Sequence, residues 1–332
     1  MLAGNPVLAA GGWIRRVIDA IVAAHEARWG ELDPLLPRRH PLPERVPGET
    51  PIVVDGAVGY PRRLAVGLDT PAADWSALDE HRLAARVGAA DPVAAMDALL
   101  AGWADAVHAS ATPEDRDSAA MIGWPSRDTA MTPLFLDRGL ILSQVLAARP
   151  AGRPGPDAAS SALIRPMTEA DLDDVIDLHV EQIRWGAQFG GTPVRPAAAA
   201  VARRHYIGVL ERDEPWTWIA ECDGRPVGMI TVTPPDSAGW VAGLSSASTP
   251  AYVGTTVALA PRRAGGIGAA LVARAHAALD RVGVDLTLLR YSPLNPLSAP
   301  FWHRSGYRPL WSWWTIAPAS RLRRGRCASP AG

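Results

Sequence analysis

The sequence predicts an α/β (α+β) protein of two related domains, each a mixed, mostly antiparallel sheet flanked by helices. Three observations carry this. The second half reads β-α-α-β-β-β-α-β-α-β in its hydrophobic periodicity. A stretch rich in proline, glycine and small polar residues, 149–162, separates it from the first half. Segments of the two halves also repeat each other. With 332 residues, 48% hydrophobic and 20% charged, the chain is long enough for about two domains with a sizeable core.

In the first half, apolar positions at Trp13, Ile14, Val17, Ile18, Ile21 and Val22 have helical spacing. Residues 31–50, rich in Pro and Arg, read as a loop. Strands are expected at 51–54 and 63–68, around the turn Asp55-Gly56. Helices are expected over 76–88 and 92–109, then a strand at 119–124, a helix at 129–138 and a strand at 141–148. In the second half a strand at 162–165 leads to Thr168, which caps a helix with Asp171 three residues on as a variant capping box. That helix buries Leu172, Val175, Ile176 and Ile183. A second helix is expected at 196–210 and a hairpin at 216–221 and 227–232, around Cys222-Asp223-Gly224. A strand at 251–259, a helix at 267–282, a strand at 284–290, a helix at 297–304 and a strand at 310–316 complete the order. The domains expected are 1–45 (helix and loop), 46–150, a linker at 151–161, 162–318, and a disordered basic tail over 319–332.

Trp124 and Gly139 lie 15 residues apart, as do Tyr291 and Gly306. With these anchors aligned, Asp128 meets Asn295, Thr132 meets Ala299, Pro133 meets Pro300, Leu134 meets Phe301, Phe135 meets Trp302 and Leu140 meets Tyr307. A gap-free run of such pairings points to a duplicated fold.

Composition excludes several functions. All 33 basic residues are arginine, so a Walker A lysine, a lysine Schiff base and a lysine general base are excluded. A formal net charge of −1 gives no global field for nucleic acid or anionic membrane. The two cysteines, Cys222 and Cys327, cannot build a disulfide framework. No metal site is expected. Lacking an apolar run of about 20 residues or a basic start before its first apolar stretch, the chain reads as cytoplasmic.

The chemistry concentrates at 257–271. A short strand, Val257-Ala258-Leu259, runs through Ala260-Pro261 into Arg262-Arg263-Ala264-Gly265-Gly266-Ile267-Gly268-Ala269, which opens a helix. Amides bared at a helix start carry the positive end of its dipole. Glycines let a phosphate reach the backbone without meeting a Cβ. The two arginines add forked contacts. A dinucleotide fold fits less well: Leu271 stands where its third glycine belongs, and no acidic residue ends a strand about 20 residues on.

The segment resembles the signature of the GNAT superfamily of acyl-CoA-dependent N-acetyltransferases, Arg/Gln-x-x-Gly-x-Gly/Ala, here Arg263-x-x-Gly266-Ile267-Gly268. A second motif of that family is similar to Asn295, Ala299, Phe301-Trp302 and Gly306-Tyr307. The resemblance spans about 160–318, with a degenerate version over about 50–150. It implies two GNAT-like domains, the C-terminal one active, and acetyl-CoA or another acyl-CoA as the acyl donor. It places main-chain groups of Val257, Ala258 and Leu259 along the pantetheine arm, in a splayed gap between the fourth and fifth strands. Amides from Arg263 to Ala269, with Arg262 beside them, would take the diphosphate, and Asn295, Phe301 and Trp302 would line the channel near the sulfur. The reaction implied is direct attack of an amine on the thioester, the oxyanion being met by a strand N–H.

The chain departs from the family at two places. Trp302 stands where a tyrosine acid is frequent, and an indole N–H is too weak an acid for that role. The strand 249–259 carries no carboxylate; Tyr252, Thr255 and Thr256 are its polar residues. The candidate catalytic groups are Tyr252, Ser292 and Asn295. Glu181, Trp185, Gln188 and Phe189, between the first two helices of the domain, are the candidate acceptor-site residues. His179 and the tyrosines Tyr291 and Tyr307 read mainly as packing, Glu221 as solvated and His303 as outward-facing. The acceptor expected is the amine of a small metabolite, on a monomer or homodimer. A mycothiol-synthase-like enzyme and an antibiotic-modifying acetyltransferase are compatible variants. A non-catalytic acyl-CoA-binding or scaffold protein is the rival from another class.

Overall fold

The computed structural model describes residues 6–40, 42–43, 50–155, 159–214, 216–259 and 265–325. The chain packs as two compact units that interleave in sequence. The first comprises Met1–Ala65, Asp79–Leu142 and Trp313–Gly332; the second comprises Val66–Leu78 and Ser143–Ser312.

The first unit holds α1 (Pro6–Leu32), β1 (Ile52–Val54), β2 (Ala57–Ala65), β3 (Asp79–Val87), α2 (Pro92–Ser110), β4 (Ser118–Pro125) and α3 (Thr132–Asp137). The β1–β2 hairpin turns at Gly56, whose φ of +70° favours glycine. Its second strand occupies 57–65 rather than 63–68. Strand β3 overturns the helix expected over 76–88. Glu80, Arg82, Leu83, Ala84 and Ala85 have good helix propensity. Yet β3 pairs antiparallel with β2 on one side and parallel with β4 on the other. It buries His81, Leu83, Ala85 and Val87 on one face and Glu80 and Arg86 on the other. Tertiary pairing therefore overrides local preference. The tail expected to be disordered from 319 is packed as far as Gly325. Ala319 donates to Ser118 Oγ at 3.1 Å, Leu322 is buried, and the Arg323 amide donates to Arg138 O at 3.0 Å. Residues 326–332, with Cys327, lie outside the described residues.

The second unit holds most of β5 (Ile141–Pro150), then β6 (Leu163–Pro166), α4 (Leu172–Ala187), α5 (Ala198–Leu210), β7 (Thr217–Cys222), β8 (Arg225–Thr233), a short α6 (Gly239–Ala242), β9 (Pro250–Ala258), α7 (Ile267–Arg281), β10 (Leu286–Tyr291), α8 (Ser298–Arg304) and the start of β11 (Arg308–Ile316). Apart from α6, this is the predicted order. The strands lie β5-β10-β9-β8-β7-β6. Only β9 and β10 run parallel; every other neighbouring pair in that run is antiparallel. The β7–β8 turn places both Asp223 and Gly224 at positive φ, as a two-residue hairpin requires.

The core of this unit lies between α4, α5 and the sheet. Val175, Ile176 and Leu178 of α4 and Ala202 and Tyr206 of α5 meet Ile219, Met229 and Val257 of the strands. Helix α7 covers the other face: a side chain at Gly228 would meet Ile267 Cγ2 at 3.2 Å. The start of α4 is set as expected. The Asp171 carboxylate accepts the Thr168 N–H at 2.8 Å and its hydroxyl at 2.7 Å. Arg165 beside it, at 2.8 Å, holds that carboxyl down to about 2. Arg165 also pairs with Glu221 at 2.8 Å, so Glu221 is bonded rather than merely solvated.

Candidate active site

The site begins with an irregularity in β9. Ile230 of β8 faces Thr256, but Val232 faces Val253, so Gly254 and Thr255 together face Thr231. This is a β-bulge, a feature that re-aims side chains and is frequent beside active sites. Glycine is needed there: a Cβ at 254 would sit 2.6 Å from Thr231 Oγ1. Pairing between β9 and β10 runs from Leu286–Pro250 to Leu289–Val253 and stops, although both strands continue. The strands part just where the bulge begins.

Helix α7 starts beside this gap. Its N-cap is Gly266 at φ +72°, a left-handed conformation, and among the described residues no side chain caps it. A side chain at Gly268 would meet the Phe301 ring at 3.2 Å. Phe301, Trp302 and Tyr307 pack edge to face in series, with centroids 4.8 and 5.4 Å apart. Tyr307 Oη lies 2.9 Å from His276 Nε2. Burial pushes that imidazole down to about 3 and the Tyr307 phenol up. The chain arriving from β5 also runs here: a side chain at Gly266 would strike the Ala159 carbonyl, and one at Gly306 would meet Pro154 O at 3.3 Å.

The predicted cofactor residues divide accordingly. Val257, Ala258 and Leu259 lie at the end of β9, but the Leu259 N–H is spent on Val227 O at 2.9 Å. Gly265, Gly266, Ile267, Gly268 and Ala269 form the helix start. Arg262, Arg263 and Ala264 lie outside the described residues.

Among the predicted catalytic groups, Tyr252 packs edge-on to Trp240 at 4.7 Å, and burial raises its phenol. A phenol so raised holds its proton at neutral pH and is no base. Ser292 Oγ accepts from the Leu294 amide at 3.3 Å, and Asn295 Oδ1 from the Leu297 amide at 3.1 Å. Both therefore shape the turn into α8. In the acceptor segment, Trp185 and Phe189 pack edge to face at 5.4 Å, and Glu181 pairs with Arg184 at 2.6 Å. Gln188 is exposed just past α4. A side chain at Gly190 would touch Leu294 at 3.6 Å, so this segment and the β10–α8 turn face each other. His303 is exposed, and its Nε2 lies 3.1 Å from Tyr291 Oη.

Sequence reasoning missed Asp74 and Tyr206 and discounted His179. His179 Nδ1 lies 3.0 Å from Tyr206 Oη and its Nε2 lies 3.5 Å from Asp74 Oδ2. His179 stood on the predicted buried edge of α4, which was the one available signal. Asp74 lies in a Pro-Ala turn without periodicity.

In the first unit a parallel strand pair also parts, and there the gap is filled. Its parallel pair, β3–β4, stops at Leu83–Ile122 while β3 continues to Val87 and β4 to Pro125. Helix α1 closes the parted ends. The Val87 amide donates to His25 Nδ1 at 3.1 Å, and Trp29 packs edge-on to Trp124 at 5.6 Å. Burial lowers the His25 imidazole to about 2, so it stays neutral and keeps that acceptor. Helix α2, the counterpart of α7, is capped by Asp91, whose Oδ1 accepts from Val93 N at 3.2 Å and Ala94 N at 3.0 Å.

Residues 178–307 match the acetyltransferase (GNAT) family. That stretch of the second unit is thus similar to a GNAT acetyltransferase domain. No curated protein matches the chain. Among solved structures, the GCN5-related glucosamine N-acetyltransferase region of a fungal multi-domain β-N-acetylglucosaminidase is similar, with 12% identity over 78% of this chain and a TM-score of 0.50. This chain spans 31% of that protein's length. A GCN5-related N-acetyltransferase from Sphaerobacter thermophilus has 15% identity over 79% of this chain and 80% of its own, with a TM-score of 0.49. The fungal likeness is one of fold, and at 78% of the chain it extends beyond the GNAT domain itself. Among the described residues, no helix is long and apolar enough to cross a membrane, and no group of three or more His, Cys, Asp or Glu is placed to hold a metal ion.

Proposed function

We propose that the GNAT domain transfers an acetyl group from acetyl-CoA to the amine of a small metabolite by direct attack, with the C-terminal half (162–318) active and the N-terminal half (46–150) structural. The contrast between the two strand gaps carries this reading. One gap is closed by His25 and Trp29, beside a helix start whose amides already bind the Asp91 carboxylate. The other adjoins a helix start that, among the described residues, has no side-chain cap. Only the second leaves a helix dipole and first-turn amides for a diphosphate. Gly268 lets the Phe301 ring pack directly against the start of α7. Bound there, acetyl-CoA supplies an activated acyl group with a good leaving thiolate. The β9 backbone past the bulge lines the pantetheine arm, and the segment 181–189 with the β10–α8 turn takes the amine.

Gly266 is a poor test position, because any side chain there strikes Ala159 whether or not a cofactor binds. Ala269, in the first turn of α7, is better. An aspartate there favours the helix by about 0.3–1 kcal/mol, while its charge opposes a diphosphate. The A269D variant is expected to melt no lower than the wild type and to bind acetyl-CoA at least tenfold more weakly, about 1.4 kcal/mol by calorimetry. Unchanged affinity would remove the cradle. Thiol release across a panel of amines, including amino sugars such as the glucosamine named for the fungal protein, reads out turnover. Tight binding with no turnover on any amine would favour a non-catalytic acyl-CoA-binding protein.

A further inference from the structure

The segment Val66–Leu78 belongs in sequence to the first half but packs within the second unit. Arg195, itself buried, holds it by donating to Ala73 O at 3.3 Å and Ser76 O at 3.2 Å. Arg204 adds a bond to Asp69 O at 2.8 Å. The segment delivers Asp74, 3% exposed, to His179, 7% exposed, and sets Trp75 edge-on to the same imidazole at 5.9 Å.

From there four groups stand in file. Asp74 Oδ2 lies 3.5 Å from His179 Nε2, and His179 Nδ1 lies 3.0 Å from Tyr206 Oη. Thr255 Oγ1 lies 3.4 Å from His179 Nδ1 and is hydrogen-bonded to Tyr206. All four are at least nine-tenths buried. The file ends on the bulge residue, just past the point where β9 and β10 part. Burying a carboxylate and an imidazole is costly, and an apolar set of equal volume would hold the core as well. The directions are also consistent. With its proton on Nε2, which faces Asp74 at 3.5 Å without a hydrogen bond, the imidazole leaves Nδ1 to accept from Tyr206, whose phenol keeps its proton because burial and the Asp74 charge both raise it.

We propose that Asp74, His179, Tyr206 and Thr255 form the proton relay of the acyl transfer, with Asp74 contributed by the otherwise structural half of the chain. The proposal rests on the acyl-transfer reading above. As the amine nitrogen attacks the thioester carbonyl, the C–N bond forms; the C–S bond then breaks and coenzyme A leaves as thiolate. The surplus proton on nitrogen passes to Thr255 as Thr255 gives its own to Tyr206 and Tyr206 gives its own to His179 Nδ1. The imidazolium so formed is balanced by Asp74, and solvent takes the proton before the next turnover. Thr255 alone meets the acceptor; Tyr206, His179 and Asp74 are positioning residues that act through it.

The test uses the full chain and the near-isosteric variants D74N, Y206F and T255V. Each is expected to lower kcat for thiol release from acetyl-CoA at least tenfold with KM for acetyl-CoA unchanged. D74N/Y206F should be no slower than the slower single variant, because members of one relay are not additive. Thermal melting confirms that each variant is folded. Independently of any variant, nitrogen NMR of the wild-type histidines should show His179 as the Nε2–H tautomer. A wild type that does not bind acetyl-CoA would sink the acyl-transfer reading. A competent wild type with His179 protonated on Nδ1, or folded D74N and Y206F variants as fast as the wild type, would sink the relay alone.

Discussion

At the scale of single residues, the site depends on positions where a side chain is impossible and on others where only a particular atom serves. Gly254 belongs to the first kind. The bulge that sets Thr255 into the unit and parts β9 from β10 leaves no space for a Cβ beside Thr231. Replacing Gly254 by alanine should destabilise the protein by about 1–3 kcal/mol through overpacking and depress turnover, since the bulge must flatten or Thr231 must move. The T231A change, added to G254A, should recover part of that stability. Urea melts of the single and double variants check this, and a double variant no more stable than G254A would mean that the backbone, not the Thr231 hydroxyl, sets the limit. His25 belongs to the second kind: its unprotonated Nδ1 takes the Val87 amide, a role closed to an imidazolium.

At the scale of elements, the sequence was readable where local and tertiary preferences agree. The Thr168–Asp171 box, the α4 stripe, the Asp223-Gly224 turn and the start of α7 at Ile267 all follow from local chemistry. The misreadings fall where long-range pairing decides. Strand β3 is written in helix-forming residues and becomes a strand because β2 and β4 flank it. The candidate site was legible in the same uneven way. Gly266 and Gly268 announce a helix start, whereas Asp74 reaches His179 across more than a hundred residues of sequence. The contrast between the helices α2 and α7 gives a prediction at this scale. In D91A the helix α2 loses its cap, at about 0.5–2 kcal/mol, while acetyl-CoA affinity stays at the wild-type value. A drop in melting temperature with an unchanged calorimetric Kd is the expected pair of results. A weakened Kd would show that the first unit's helix start takes part in cofactor binding after all.

At the scale of the whole molecule, duplication and exchange have to be kept apart. The repeat aligns β4 with β10 and α3 with α8, yet the compact units are not the two halves of the sequence. Strand β5 follows the first half's motif but forms a ladder with β10, from Leu286–Pro150 to Tyr291–Val145. The segment Val66–Leu78 likewise joins the second unit, and Trp313–Gly332 joins the first. Composition marks 149–162 as a linker, but composition is blind to such exchange, because a strand that pairs beyond its own half has the same pattern of alternation as one that does not. Two parted parallel pairs, one in each unit, raise the question of how many acyl-CoA molecules the chain holds. The first unit's gap is closed by packed aromatic rings and a neutral histidine, and its helix start is neutralised by its own carboxylate. Opening it would expose Trp29 and break the Val87–His25 bond, and losing the packing of a buried tryptophan costs about 3–5 kcal/mol, a toll the second site does not carry. Titration of the full chain with acetyl-CoA should therefore saturate at one equivalent. A second equivalent of comparable affinity would mean that α1 yields its place to the ligand, and that both units bind the cofactor.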